Sequence, residues 1–231
     1  MARTFLSACG TNIVGRRKSF MAVVVIGGHS RNVGKTSVVA GLIAALPEYN
    51  WTALKITQYG HGVCSRDGES CHCATEDHSW AISEEKDRSG ESDTSRFLVA
   101  GATRVWWVRT EQGWLAEAMP TIRRQLAEAE NVILESNSVL KFVRPDLYLT
   151  VLDPSTVDFK KSAQEFLDLA DAVILHRAQN AARDRVAWKG ISLKPLAKRP
   201  IFHIQPPDYV TGEIVDFVKK RLAKMPRRQE L

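Results

Sequence analysis

Short apolar runs alternate along the chain with segments of helical length. The runs that read as strands are residues 23–26, 51–57, 104–108, 132–135, 147–152, 172–175 and 201–204. The segments that read as helices are residues 37–46, 93–100, 114–126, 161–169 and 213–222. Pro120 interrupts or restarts the third of these helices. Alternating strands and helices predict an α/β fold with a mostly parallel sheet and helices on both faces.

A glycine-rich turn joins the first strand to the first helix, which opens with Gly34, Lys35 and Thr36. In this order of elements, backbone N–H groups and the helix N-terminus form a phosphate-binding loop. We expect Lys35 to reach the β and γ phosphates and the Thr36 hydroxyl to bind Mg²⁺. Five residues separate Gly28 from Gly34, where the common motif has four. The predicted nucleotide-binding residues here are Gly28, His29, Ser30, Arg31, Asn32, Val33, Gly34, Lys35, Thr36 and Ser37.

Charged residues at or near the ends of other strands are the next candidates, because ligands bind beyond the carboxyl ends of parallel strands. Glu135 ends a buried apolar run and is placed to hold Mg²⁺ or to orient a water molecule. Lys55, in the second strand, either reaches the site or extends along the surface. Either Ser92 or Asp93 caps the second helix, and Asp93 is also placed to supply a second carboxylate to Mg²⁺. We predict Lys35, Lys55 and Glu135 as catalytic residues.

The nucleotide base has candidate contacts after the later strands. Gln179 follows the strand at residues 172–175, and Gln205 and Pro206 follow the last strand. The chain contains no Asn-Lys-x-Asp sequence, the motif that reads guanine. These residues therefore leave the choice between ATP and GTP open.

Residues 58–92 are polar, which predicts a long loop that is either functional or without fixed structure. The loop contains three cysteines and three histidines, at Cys64, Cys71, Cys73, His61, His72 and His78. Three thiols with His78 match a Zn²⁺ ligand set, although their spacing is not that of a standard zinc finger. An iron–sulfur cluster is a lesser alternative, and reduced cysteines without a ligand are a third.

Charge and composition limit the function classes. Of the 231 residues, 44% are hydrophobic, and the net charge of +6 is concentrated near the two ends. We expect a weakly organised extension at residues 1–20, one domain at 21–224 and a basic tail at 225–231. No array of basic and aromatic residues favours nucleic acid, and no apolar run nears the roughly 20 residues that span a membrane. We expect a cytoplasmic protein with reduced cysteines.

The loop at residues 28–36 resembles that of dethiobiotin synthetase and its relatives, the SIMIBI class of P-loop proteins. Within that class the chain resembles more closely the molybdopterin-guanine dinucleotide biosynthesis protein B (MobB) family. Three segments carry the resemblance: the loop with its apolar helix, Lys55 in the second strand, and residues 93–102. The last segment is similar to that family's acidic-Ser-x-Arg helix, which ends in Ala-Gly-Ala. The chain departs from the family at Ser136, where a glycine usually follows the acidic residue.

The resemblance implies a SIMIBI-like three-layer P-loop NTPase that binds Mg²⁺ with GTP or ATP. Thr36, Asp93 and Glu135 would then contact the Mg²⁺ ion. The implied activity is nucleotide hydrolysis that assists molybdenum-cofactor biosynthesis together with a partner enzyme. Three alternatives stay open: a metal-handling GTPase whose Cys/His segment holds the cargo, an ATP-dependent ligase of dethiobiotin synthetase type, and a nucleotide-gated adaptor. The Trp106-Trp107 strand either packs under helices or covers a homodimer interface.

Overall fold

The strands and helices come from a computed structural model that describes residues 21–59, 79–177, 188 and 190–224. The strands are β1 (Ala22–Gly28), β2 (Trp51–Tyr59), β3 (Trp80–Glu84), β4 (Arg104–Glu111), β5 (Asn131–Glu135), β6 (Leu147–Leu152), β7 (Ala172–His176) and β8 (Ile201–Ile204). The helices are α1 (Lys35–Ala45), α2 (Asp93–Val99), α3 (Leu115–Leu126), α4 (Lys161–Glu165) and α5 (Gly212–Ala223). Within this part of the chain, no helix is long and apolar enough to cross a membrane.

The strands form one sheet in the order β3-β4-β2-β5-β1-β6-β7-β8. Each neighbouring pair is parallel except β3 and β4, which are antiparallel. Strand β1 lies between β5 and β6, with Ile26 opposite Glu135 and Gly28 opposite Val151. The predicted mostly parallel α/β sheet is confirmed, and the end of β1 lies beside the end of β5.

Apolar residues on both faces of the sheet explain the three layers. On one face, Val24 and Ile26 of β1 pack in a core with residues of α1, α2 and α5. On the other face, Val23 and Val25 belong to a core with residues of α3. Because successive strand side chains point to opposite faces, one central apolar strand contributes to both cores. Helices therefore cover both faces, as predicted.

Strand β3 corrects the prediction of one long loop over residues 58–92. It pairs with β4 at the sheet edge, and its residues are only partly buried. A half-buried edge strand of five residues carries a weak apolar pattern, so the polar residues around it concealed it. The cysteine and histidine positions lie at 61–78, outside the described residues.

Two helix predictions also change. Helix α3 continues through Pro120, because the residues that hold it to the sheet lie on both sides of the proline. The buried residues of this helix are Leu115, Ala118, Met119, Ile122 and Leu126. The segment 161–169 is divided instead: α4 ends at Glu165, and a 3-10 turn follows at Leu167–Leu169.

The paired tryptophans of β4 pack within the fold. Trp106 is 7% exposed and belongs to the core on the α3 face. Trp107 Nε1 donates to Thr57 Oγ1 at 3.1 Å, and the Arg109 guanidinium lies 4.7 Å from the Trp107 ring centroid. These contacts account for both aromatic residues, and the homodimer stays a prediction.

Side chains pack tightly around Gly27, near the end of β1. A Cβ atom there would lie 2.2 Å from Asn137 Oδ1 and 2.7 Å from the Tyr148 hydroxyl. We expect Gly27→Ala to lower the free energy of unfolding by about 1–3 kcal/mol, as other overpacked sites do. Urea unfolding measures the change. Gly212→Ala is the control, since nothing lies within 4 Å of its Cβ. Equal stability of Gly27→Ala and wild type would contradict the prediction.

Candidate functional site

Contacts from other parts of the chain hold the loop between β1 and α1 at Gly28 and at Gly34. Asn137 follows β5, and its side chain contacts the Gly28 backbone twice: Nδ2 donates to the carbonyl at 2.8 Å, and Oδ1 accepts from the N–H at 3.0 Å. Gly34 has a φ of +87°, and the Tyr209 ring occupies the space where a Cβ would lie. Only glycine adopts this conformation without strain. The glycines therefore set both the turn and the contacts of the loop.

Lys35 bends back over this loop. Its Nζ donates to the Ser30 carbonyl at 2.6 Å. Burial lowers the pKa of Lys35, and the Glu135 carboxylate opposes that effect. The Lys35 side chain therefore lies along the loop, where the sequence places it for a phosphate contact.

Four predicted residues from four different elements meet beside the loop. Thr36 Oγ1 donates to Glu135 Oε2 at 2.8 Å. Lys55 Nζ donates to Asp93 Oδ2 at 2.6 Å, to Glu135 Oε1 at 3.0 Å and to Thr36 Oγ1 at 3.4 Å. The structure thus brings Lys55 together with the three residues predicted to hold Mg²⁺.

These charges stabilise one another. Burial alone would lower the pKa of Lys55, but the carboxylates of Glu135 and Asp93 outweigh it and raise the pKa. Burial alone would raise the pKa of Asp93, but the Lys55 ammonium outweighs it and lowers the pKa. The ammonium and the Asp93 carboxylate are therefore both kept in their charged forms.

The oxygen atoms of this cluster fit a hard divalent cation. Mg²⁺ prefers oxygen ligands and is bound in proteins by one or two carboxylates together with substrate phosphates. Glu135 and Asp93 supply the carboxylates, and Thr36 supplies a hydroxyl. Among the described residues, no group of three or more His, Cys, Asp or Glu side chains is arranged to hold a metal ion. A Mg²⁺ ion here would take its further ligands from Thr36, the nucleotide and water.

The start of α2 explains why Asp93 is available for this contact. Ser92 caps the helix, since its Oγ accepts from the Ser95 N–H at 3.1 Å. Asp93 is the first helical residue and contacts Lys55 instead. Arg96, one turn further, donates to Ser37 Oγ of α1 at 3.0 Å. Helix α2 is thus attached to α1 with its acidic residue at the site.

His29 lies within the loop sequence, but its ring points away from it. The ring is buried, with Phe159 and Trp188 centroids 5.2 and 4.9 Å away. Its Nε2 accepts from the Asp153 N–H at 3.0 Å, so Nδ1 carries the proton that it donates to the Asp158 carbonyl at 2.8 Å. Both ring nitrogens are therefore occupied by backbone, and His29 positions the loop rather than offering its ring to a phosphate.

Lys160 is a site residue that the sequence analysis missed. Its backbone N–H donates to the His29 carbonyl at 2.8 Å, which places it beside the loop. Burial, with the charges of Lys35 and Arg31 nearby, lowers the pKa of Lys160 to about 8. Its position depends on the His29 contact, and no local motif marks it. Arg31, Lys35 and Lys160 together make the loop strongly positive.

Two of the predicted base contacts, Gln205 and Pro206, follow β8 at the same end of the sheet as the loop. His176, at the end of β7, donates from Nε2 to the Val33 carbonyl at 3.0 Å. Its ring meets that of Tyr209 edge-on, with centroids 5.9 Å apart. Gln205 and Pro206 are exposed in the turn between β8 and Tyr209. Sequence analysis did not single out Tyr209 or assign His176 a loop contact. Gln179 lies outside the described residues, as do Cys64, Cys71, Cys73 and His78.

The central position of β1, the anchored glycine loop after it and the helix that begins at Lys35 give the chain a P-loop NTPase fold. No family model matches the sequence, and no curated protein matches it either. Among solved structures, HypB from Helicobacter pylori, in complex with nickel, is 14% identical with a TM-score of 0.44. That alignment covers 90% of this chain and 87% of HypB.

A second solved structure is the "apo" form of LpxK from Aquifex aeolicus in complex with ATP. It is 17% identical to this chain, with a TM-score of 0.43 and coverage of 79% of this chain. The alignment spans about half of LpxK, 53% of its length. Both similarities concern the fold of the backbone alone.

The buried His29 predicts a pH dependence of stability. Burial lowers its pKa in the folded protein, where Lys35 lowers it further and Asp153 and Asp158 oppose the shift. The unfolded chain therefore binds more protons below about pH 6.5, and stability falls as the pH falls through that value. We expect His29→Gln to remove up to about 1.4 kcal/mol per pH unit of this slope, measured by urea unfolding between pH 5 and 8.

His203 provides the matched control, since it is exposed on β8. His203→Gln should leave the wild-type slope unchanged. A slope in His29→Gln that equals that of wild type would show that the ring titrates freely in the folded protein.

Proposed function

We propose that the protein binds a nucleoside triphosphate together with Mg²⁺ and hydrolyses it. One observation carries this proposal: the oxygens of Thr36, Asp93 and Glu135 converge on the Lys55 ammonium, next to the loop that Lys35 follows. Such an arrangement serves a phosphate chain in the loop and a metal ion at its end.

The charges of the site suit phosphoryl transfer, in which catalysis is mostly positioning and charge stabilisation. Lys35 would contact the β and γ phosphates, with Arg31 and Lys160 adding positive charge around the loop. Thr36, Asp93 and Glu135 would hold Mg²⁺, which when bound neutralises charge on the phosphate oxygens. Gln205 and Pro206, with His176 and Tyr209, would border the base, either guanine or adenine.

The finer proposal is a MobB-like role, in which nucleotide hydrolysis assists a partner enzyme of molybdenum-cofactor assembly. The resemblance of residues 93–102 to the acidic-Ser-x-Arg helix of that family supports it. Asp93 contacts Lys55, and Arg96 contacts Ser37. The segments that carry the resemblance therefore meet at one place in the fold.

Nucleotide-dependent thermal shifts test the proposal. At a hundredfold excess over Kd, GTP or ATP with Mg²⁺ should raise the Tm of the wild type by about 5–10 °C. Lys35→Ala should bind at least about tenfold more weakly, because it loses a charged contact to phosphate. Lys219→Ala is the control, since Lys219 pairs with Glu48 at the surface of α5.

If neither nucleotide stabilises the wild type, the proposed function is wrong. Comparing GTP with ATP at equal concentration identifies the preferred base. Phosphate release that requires an added small carboxylate or amine would favour a ligase of dethiobiotin synthetase type over a simple hydrolase.

A second candidate is a metal-handling accessory GTPase, and the ends of the two strands that flank residues 60–78 favour it. Strand β2 ends at Tyr59, opposite Glu111 of β4. Strand β3 begins at Trp80, opposite Thr110. Strand β2 therefore ends, and β3 begins, at the carboxyl ends of the parallel strands, where the phosphate-binding loop also lies.

Metal analysis of the purified protein tests this candidate. We expect about one Zn²⁺ per chain, bound by Cys64, Cys71, Cys73 and His78, as tetrahedral sites of this ligand type hold. The double variant Cys71→Ser/Cys73→Ser should lose the metal, whereas Cys9→Ser should retain it. Wild-type protein without metal, whose Tm does not respond to added Zn²⁺, would exclude the candidate.

A further inference from the structure

The Lys55 ammonium occupies the centre of the proposed metal site. It donates to the side chains of Asp93, Glu135 and Thr36, at distances of 2.6 to 3.4 Å. These are the oxygens assigned above to Mg²⁺. An ammonium has three donor hydrogens, so these three contacts use its full capacity.

Mg²⁺ and the ammonium cannot share these positions. Mg²⁺ requires oxygens at about 2.0–2.1 Å in octahedral geometry, which draws them closer to the cation than an ammonium does. Two cations on the same three oxygens would also repel each other strongly within a partly buried cluster. The side chain of Lys55 is 16% exposed and that of Glu135 is 6% exposed, so water screens this repulsion little.

We propose that Lys55 is a built-in competitor of the divalent cation, and this inference rests on the proposed function for its metal site. The ammonium offsets part of the negative charge of Asp93 and Glu135 as long as no metal is bound, and it leaves their oxygens when Mg²⁺ enters. Lys55 thereby weakens the binding of a divalent cation alone. A nucleotide overcomes the competition, because its phosphates give the metal further ligands and offer the displaced ammonium a new anionic partner.

The two carboxylates need a cation beside them whether or not a metal ion is bound. Glu135 is buried and Asp93 is half-exposed, and an unpaired charge in such a place is costly. Lys35 lies near both carboxylates, but its Nζ donates to the Ser30 carbonyl. Lys55 is therefore the cation in direct contact with the three oxygens. Metal binding is an exchange of one cation for another.

Mn²⁺ titration without nucleotide tests the competition directly, with the free ion measured by electron paramagnetic resonance. The full chain should bind Mn²⁺ weakly. Lys55→Gln, which removes the ammonium and keeps the three oxygens, should bind at least about tenfold more tightly, a change of about 1.4 kcal/mol. Equal Mn²⁺ affinity of Lys55→Gln and wild type would overturn the proposal.

Lys160→Gln distinguishes the occupation of the three oxygens by an ammonium from a general effect of positive charge near the site. It removes the same charge close to the loop, but it leaves the contacts of Lys55 with the three oxygens in place. Its Mn²⁺ affinity should rise less than about threefold, because Lys55 still occupies the three oxygens in this variant and still competes with the ion. Similar increases in Lys55→Gln and Lys160→Gln would show that only net charge matters.

Thermal unfolding gives a second measurement. Without divalent ions, Lys55→Gln should have a lower Tm than wild type, and millimolar Mn²⁺ should restore it. Should Lys55→Gln not fold, a second pair of variants applies the same test. Lys55→Gln/Asp93→Asn removes one carboxylate with the ammonium, and it should bind Mn²⁺ more tightly than Asp93→Asn alone. Equal affinity within that pair would likewise overturn the proposal.

These titrations contain no nucleotide, so their outcome is distinct from that of the nucleotide shifts. If the protein binds no nucleotide but Lys55→Gln gains Mn²⁺ affinity, the competition is supported and the proposed function is wrong. If the protein binds nucleotide but Lys55→Gln gains no Mn²⁺ affinity, the proposed function is supported and the competition is wrong.

Discussion

Two carboxylates lie at one edge of the sheet, and the need to balance their charge constrains the elements around them. Glu135 comes from β5 and Asp93 from the start of α2, while Lys55 comes from β2 between them. The charge of the buried Glu135 is stable only when it is paired. Lys55 lies opposite Glu135 on the neighbouring strand and also pairs with Asp93, which attaches the start of α2 to the sheet, and Thr36 donates its hydroxyl to the same Glu135.

The phosphate-binding loop receives its shape from residues that contact no phosphate. Asn137 holds Gly28 through both of its amide atoms, and the buried His29 ring is held by backbone after β6. This contact lies next to the point where the chain departs from the MobB-like pattern. Ser136 stands where that family usually has glycine, and Asn137, which follows it, anchors the loop. A loop whose Gly28 and His29 are held in this way keeps its shape without reorganisation, and a preorganised loop favours anion binding.

The site divides by charge into two parts. Arg31, Lys35 and Lys160 surround the loop, and Asp93 and Glu135 lie beside it, joined by Lys55. An anion complements the first part and a cation complements the second, which is the composition of a metal–nucleotide complex. The contact between Lys55 and the carboxylates couples the two parts, because a cation can enter the second only as the lysine leaves.

The sequence by itself determined the order of strands and helices, the loop and the placement of Lys35, Thr36 and Glu135. These features depend on periodicity and on a motif of neighbouring residues, which are local properties. Only the tertiary structure revealed edge strand β3, the turned ring of His29 and the roles of Asn137 and Lys160. It also decided that Asp93 pairs with Lys55 instead of capping its helix. Each of these depends on contacts between residues 38 to 131 positions apart, or on an edge with little apolar pattern. Apolar periodicity shows which face a residue occupies, but the partner across the fold is set by how the strands and helices pack.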